Sequence, residues 1–273
     1  MNHRTLLISL AGLTFVTPVF SGTVFEFETK EFDGLEPILS TVQMSTSGAN
    51  TRLEIISVTS DEAGGLIYLG DSREMIILDH LQGQYVTMDQ DQMTAMSGEV
   101  SSAVTQMQSE MSPEQRAEAE KVRQERLAAQ RLAEASAEIN DLGSRGEVAG
   151  VPCHVYEVLR NGRKVRELCV SQWQDLEGGH ETAAAIQRVV EFFESMRQVF
   201  SGTDNMQVFD RQRELFGHIG ELDGYPVLYR DFAASGKMTR ETRLTAARQR
   251  DIGPDFFSPP ESYTPLEMTE DPE

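Results

Sequence analysis

A ten-residue pattern occurs twice in this chain at a constant offset of 74. Gly143-x-x-Gly146-Glu147-x-x-Gly150-x-Pro152 recurs as Gly217-x-x-Gly220-Glu221-x-x-Gly224-x-Pro226. The correspondence continues through Gly162 and Gly236, then through Arg166-Glu167 and Arg240-Glu241. Each copy reads as a strand, a glycine turn and a returning strand. Hairpins share turn residues by necessity, and that alone accounts for the glycines at the turns. A constant offset across ten residues points further, to a structural repeat. Between the copies, residues 181–200 carry Ile186, Val189, Val190, Phe193, Met196 and Phe200 at helical spacing on one face, and Ser201-Gly202 supplies a stop. An amphipathic helix must bury that face, most simply on a sheet.

Residues 23–89 predict an antiparallel meander. Val24, Phe25 and Phe27 open the first strand. Runs near 39–46 and 51–58 follow, separated by Ser47-Gly48-Ala49-Asn50. Leu66-Ile67-Tyr68-Leu69, Met75-Ile76-Ile77-Leu78 and Tyr85-Val86-Thr87-Met88 complete it, with turns at Gly70-Asp71 and Gln82-Gly83. Short β-branched and aromatic runs punctuated by Gly and Asp mark a sandwich or barrel.

The period changes near residue 90. Ser112-Pro113-Glu114-Gln115 has Ser as N-cap, Pro at N1 and Gln at N3, a capping-box start. The stretch to about Ile139 is rich in Ala, Glu, Arg and Gln, with Val122, Leu127 and Leu132 as its few apolar members. A helix this polar is mostly solvated. The fold expected is therefore mainly β with helices (α+β). Its core is a curved, unclosed antiparallel β-barrel or half-barrel carrying a packed amphipathic helix. Residues 112–140 form a long charged helical insertion.

The N-terminus reads as a secretory signal over residues 1–21. His3 and Arg4 give a small positive region, Leu6 to Val16 is almost wholly apolar, and Val19-Phe20-Ser21 suits cleavage after Ser21. That apolar run is far shorter than the roughly 20 residues a helix needs to span a bilayer. The mature chain is expected to be periplasmic, with one β-rich domain over 22–258 and a disordered acidic tail over 259–273. The formal charge of −20 repels phosphate backbones, which excludes nucleic acid as a partner. It also disfavours anionic membrane surfaces.

Cys153 and Cys169 are the two cysteines, and in an oxidising compartment an even count reads as one disulfide. A two-residue turn at Asn161-Gly162 would put the two on opposite faces. A three-residue loop, Arg160-Asn161-Gly162, would pair them directly and is the register expected. The charges favour the shorter turn, which sets Glu157 opposite Arg166 and Asp231 opposite Arg240. A covalent bond outweighs an exposed charge pair of well under ~1 kcal/mol.

No catalytic motif emerges. His180-Glu181 begins like a zinc-protease helix, but Ala184 stands where a second histidine is required. Asp89-x-Asp91 begins like a calcium loop, but Met93 stands at the fifth position. Met88, Met93, Met96, Met107 and Met111 could supply soft copper(I) ligands or an adaptable apolar surface; the second is expected. No cofactor and no metal site is predicted, and the chain reads as non-enzymatic.

Several motifs together carry a likeness. They are Leu66-Ile67-Tyr68-Leu69-Gly70, Met75-Ile76-Ile77-Leu78-Asp79 and Met111-Ser112-Pro113-Glu114-Gln115-Arg116. To these add Ala149-Gly150-Val151-Pro152-Cys153-His154-Val155-Tyr156, Glu167-Leu168-Cys169-Val170 and Phe256-Phe257-Ser258-Pro259-Pro260-Glu261-Ser262-Tyr263. The set resembles a family of exported Gram-negative proteins known only as a domain of unknown function. That family in turn is similar to the periplasmic lipoprotein carriers and outer-membrane lipoprotein receptors. The resemblance implies an unclosed, strongly curved barrel with helices across its mouth. It implies a carrier of an apolar ligand, a lipid or lipoprotein acyl chain, but matches no carrier ligand-binding residue to a position here. On helix 181–200, Phe192, Phe193, Met196 and Phe200 are the candidate residues that either face such a ligand or simply complete the core. The alternative is an envelope interaction protein whose charged helix 112–139 binds another envelope protein.

Overall fold

The computed structural model describes residues 21–32, 34, 36–57, 63–135, 137–199 and 222–266, with some side chains in the three helices left out. Six strands form the expected meander: β1 (Ser21–Glu31), β2 (Ile38–Ser47), β3 (Asn50–Ser57), β4 (Ala63–Leu69), β5 (Glu74–Asp79) and β6 (Gln84–Met88). Two helices follow, α1 (Gln90–Glu110) and α2 (Pro113–Ala135). Then come β7 (Ala137–Val148), β8 (Val151–Arg160), β9 (Arg163–Ser171), α3 (Gly179–Val199), β10 (Tyr225–Phe232), β11 (Met238–Asp251) and the short β12 (Thr264–Pro265). All twelve strands belong to one open sheet, in the order β12-β6-β5-β4-β3-β2-β1-β11-β10-β9-β8-β7. Only β12 runs parallel to its neighbour, β6. The sheet has two edges, so the barrel is unclosed, and the curved α+β fold is the one expected.

Strand register shows why these residues make a two-sided layer. Thr23, Thr46, Thr51, Tyr68, Met75 and Met88 stand opposite one another from strand to strand, and all six are buried. Phe25, Met44, Leu53 and Leu66 make the next row, also buried. With a side-chain period of two, both rows share one face. Helix α3 lies against β2 and β3 and adds Ala185, Ile186, Val189 and Phe192 to the same core. The Thr182 and Thr46 hydroxyls meet at 3.1 Å beneath it.

The alternate residues form a second, smaller core on the other face. Val24, Ile67, Ile76 and Leu78 are covered there by Ile252, Phe256, Phe257 and Tyr263. This covering is the chain's C-terminal segment. Arg52 fixes it by donating to the Phe256 carbonyl at 2.7 Å and the Ser258 carbonyl at 3.2 Å, with its guanidinium over the Phe256 ring. His80 bridges Glu54, at 2.5 Å, to the Tyr263 hydroxyl, at 2.7 Å. The disordered tail expected from residue 259 therefore does not begin there. Residues 259–266 are held by this network and by β12, which sits on the edge of β6. Pro and acidic residues suggested disorder, but an aromatic pair and one tyrosine anchor the segment. Residues 267–273, like the expected signal at 1–20, lie outside the described residues.

Helix α1 is a further difference from expectation. Asp89, read as the start of a failed calcium loop, is the helix N-cap: its carboxylate accepts from the Gln92 amide at 2.7 Å, and Gln92 returns a bond to the Asp89 amide. The capping box at the head of α2 forms as expected between Ser112 and Gln115.

The hairpin register departs from the three-residue loop. Asn161 and Gly162 make a two-residue turn with φ of 53° and 70°, the left-handed pair that suits a tight hairpin. A bulge at Val165 then shifts β9 by one residue, so Cys169 stands opposite Val155, on the face that also carries Cys153. The disulfide joins them diagonally, with Cα atoms 5.3 Å apart. Glu157 consequently faces Glu167 rather than Arg166, whereas Asp231 does face Arg240. The bulged residues of the two hairpins, Val165 and Thr239, keep the offset of 74, although the pairing register differs by one between the copies. The second copy's opening, Gly217 to Glu221, lies outside the described residues.

Gly146 lies opposite Cys153 on β7, where a Cβ would come within 3.0 Å of the Cys169 sulfur. The bridge closes a loop of sequence separation 16. Replacing both cysteines by serine is expected to lower the unfolding free energy by about 3 kcal/mol, the entropic value for a loop of that length. Urea denaturation of the oxidised protein and the double variant measures it.

Candidate functional site

The concave face beside α3 is where an apolar ligand was expected. Phe192 lies within the core there, 5% exposed, its ring centroid 5.2 Å from that of Tyr68. Phe193 is partly buried and meets Phe192 edge-on at 6.4 Å. The Met196 side chain and Phe200 lie outside the described residues. Of the stripe read from spacing, Ile186 and Val189 are buried and Val190 and Phe193 pack partly exposed against the core, with Phe192 buried beside them. Phe192 packs against Tyr68, while Phe193 touches the same core and stays partly exposed.

Next to this core, the cleft lined by Phe27, Val42, Leu53, Tyr225 and Pro226 encloses about 30 Å³. That is the share of one water molecule in the liquid, far below the few hundred cubic ångströms of a ligand pocket. Its tyrosines are chemically quiet. Burial pushes the Tyr225 phenol well above its ordinary value, and the Tyr229 phenol is raised by burial against the opposing bond to Thr242. Tyr225 stacks on Phe25 and tilts against Phe27 and Trp173. Nothing in residue spacing announced this cluster beyond Tyr225-Pro226 itself. Pro226, which has no N–H to donate, sits beside the bulge at Val227, where a strand ladder tolerates it.

Strands β9, β10 and β11 carry a ladder of charges centred on β10. Asp231 accepts from Arg166 at 2.6 Å and from Arg240 at 2.7 Å. Arg230 reaches Glu167 at 2.9 Å and Glu241 at 2.6 Å, and Lys164 reaches Glu167 at 3.0 Å. Arg166 and Arg240, and Glu167 and Glu241, are the residues matched in the duplicated pattern. The returning strands of the two copies, β9 and β11, therefore converge on β10, the opening strand of the second copy.

Of the methionines in the stretch 88–111, Met111 at the end of α1 is partly buried. Met88 is buried at the end of β6, while Met107 on α1 is exposed. The side chains of Met93 and Met96 lie outside the described residues. His180 is exposed at the head of α3. Among the described residues, no group of three His, Cys, Asp or Glu could hold a metal ion.

Helices α1 and α2 present the other candidate surface. From Pro113 to Glu125, every residue of α2 is exposed except the half-buried Glu120. Glu120 pairs with Arg123 at 2.8 Å and accepts from Gln124 at 2.9 Å, and these hydrogen bonds lower its carboxyl to about 2. The helix holds five acidic and five basic residues, so it is neutral in a chain of net charge −20. No helix of the described residues is long and apolar enough to cross a membrane.

No protein-family model and no curated protein matches the chain. Among solved structures, an uncharacterised conserved protein of Thermus thermophilus aligns at TM-score 0.42 and 7% identity over 89% of each chain. MucB in the Pseudomonas aeruginosa MucA/MucB complex aligns at TM-score 0.38 and 8% identity over 90% of this chain, which spans 58% of that one. An outer-membrane lipoprotein-sorting domain of Vibrio parahaemolyticus aligns at TM-score 0.19 and 8% identity, over 88% of this chain and 90% of that one. At these scores the likeness carries no argument about function.

Two measurements check this geometry. Phe192→Ala is expected to cost about 3–5 kcal/mol of stability, as for a core aromatic, and Phe193→Ala distinctly less. Urea unfolding of both variants tests the order. For Glu167, burial raises the carboxyl, but the bonds to Lys164 and Arg230 outweigh it and hold the group below its ordinary value. A depressed folded value contributes stability above the unfolded value of about 4.3 and loses it as pH falls through the folded one. Glu167→Gln is therefore expected to flatten the stability profile below about pH 4.5, read as thermal midpoints from pH 7 to 3.

Proposed function

We propose that this is an exported, non-catalytic envelope protein that binds another envelope protein through α2, with the curved sheet as its platform. The observation that carries this reading is the exposure of α2 from Pro113 to Glu125. The helix is long, has good intrinsic propensity and is laced by its own ion pairs, so it stands without a core of its own. A solvated helix of this length contributes little to folding, and a neutral, mixed-charge surface on an acidic chain suits selective protein contact. The signal-like N-terminus and the disulfide support export to an oxidising compartment. Carriage of an acyl chain is the competing reading; among the described residues, the cleft beside α3 encloses only about 30 Å³.

The test keeps the fold intact. The triple variant Arg116→Glu, Lys121→Glu and Val122→Ala changes only exposed residues of α2. It is expected to lose cross-linking to the partner captured by the parent protein in the periplasm, with unchanged thermal midpoint. Native mass spectrometry of the parent is expected to show a chain starting at Gly22 without a lipid-sized adduct. A discrete lipid adduct, with cross-linking unaffected by the triple variant, would overturn the reading in favour of a carrier.

A further inference from the structure

The two-residue turn of the β8–β9 hairpin sets Arg160 directly opposite Arg163. Both are exposed, and like charges facing each other across a hairpin destabilise it. Neither guanidinium has a partner among the described residues. The contrast with the same strands further in is sharp, since Arg166, Arg230 and Arg240 are each neutralised by a carboxylate within 3 Å. The chain has 44 acidic residues, yet places none of the described ones against this pair.

The pair borders a hollow of about 390 Å³, lined also by Asn161, Lys164, Val165 and Ala234. Ala234 belongs to the turn of the β10–β11 hairpin, so the tips of both hairpins contribute. Such a volume lies in the range of small-ligand sites. Lys164 is held in place by Glu167 at 3.0 Å and lies 4.3 Å from the centroid of the Phe232 ring. Two unneutralised arginine forks and an amide side chain then line a hollow together with a valine and an alanine. Arginine forks match the oxygens of a phosphate group and bind it bidentately. Screening makes the sign of this tip local: at physiological salt the Debye length is about 8 Å, so the distant acidic surface counts little.

We propose that the tips of the β8–β9 and β10–β11 hairpins form a binding site for a phosphate ester, with Arg160 and Arg163 gripping the phosphate and Val165 and Ala234 meeting its organic part. This site is separate from α2 and stands or falls independently of the partner-binding reading. The phosphate belongs either to a small soluble ester or to a lipid headgroup.

The experiment uses the mature full-length protein and two probes. Glycerol 3-phosphate is titrated by calorimetry. Vesicles of phosphatidylcholine, with and without phosphatidylglycerol, are tested by flotation. Binding of the soluble ester assigns the first source, and binding of only the phosphatidylglycerol vesicles assigns the second. In either case Arg160→Gln with Arg163→Gln is expected to weaken binding at least tenfold, while Arg73→Gln with Arg145→Gln, at two exposed arginines away from the hairpin tips, leaves it within twofold. No binding of either probe, or equal loss in both double variants, overturns the proposal. Arg163→Glu separates binding from folding. It removes the like-charge contact, so the thermal midpoint is expected to hold or rise while binding is lost. A lowered midpoint would make Arg163 a structural residue and sink the assignment.

Discussion

An open twelve-stranded sheet has apolar residues on both faces, and the fold depends on covering both. One face is covered by α3, whose Ile186, Val189 and Phe192 close over the rows led by Phe25 and Tyr68. The other is covered by the C-terminal segment, through Ile252, Phe257 and Tyr263. Full burial of each such side chain is worth about 1.5–3 kcal/mol. Neither cover makes sense without the sheet, and the sheet would expose a broad apolar surface without them. The charged ladder on β9 to β11 and the Arg52–Glu54–His80 cluster are arranged around these two covers rather than in place of them.

Where sequence and structure agree, the signal was periodic or chemical. The six strands of the meander showed a period of two between Gly and Asp turns, and α3 showed a period of 3.6. Ser112 and Gln115 announced α2. Where they differ, the deciding feature was local backbone or distant packing. The bulge at Val165 leaves no mark in residue type, yet it alone lets a two-residue turn coexist with the disulfide. Helix α1 was hidden because its apolar residues are methionine, alanine and valine without a clean stripe; its true signal was the pair Asp89 and Gln92. The segment after Pro259 looked unfit to order, and its anchors, Tyr263 and His80, are 183 residues apart. As for the candidate site, Phe192 and Phe193 were recognisable as apolar, but spacing could not tell packing from a ligand wall. The arginine pair at Arg160 and Arg163 became meaningful only once the turn length placed them opposite each other.

The duplicated pattern has a physical reading at the level of side chains. Arg166 and Arg240 grip the same Asp231, while Glu167 and Glu241 grip the same Arg230. Their returning strands, β9 and β11, flank β10, itself the opening strand of the second copy, and present equivalent charges to it from either side. Their bulges also fall at equivalent residues. Their registers nonetheless differ by one, so similarity in the chain was kept where it supplies charge and a bend, and relaxed where neighbouring loops differ.

The pairing of β1 with β11 sets the order of assembly. Phe27 faces Leu244, while every other antiparallel neighbour of β1 to β6 comes from the adjacent stretch of chain. Contacts of such long separation are slow to form, because the loop between them must be closed first. During synthesis β1 emerges long before β11, the strand that completes it. Until then β1 is a bare, apolar edge of the kind that recruits stray strands. A chain built this way folds cleanly only when both of these strands are at hand together.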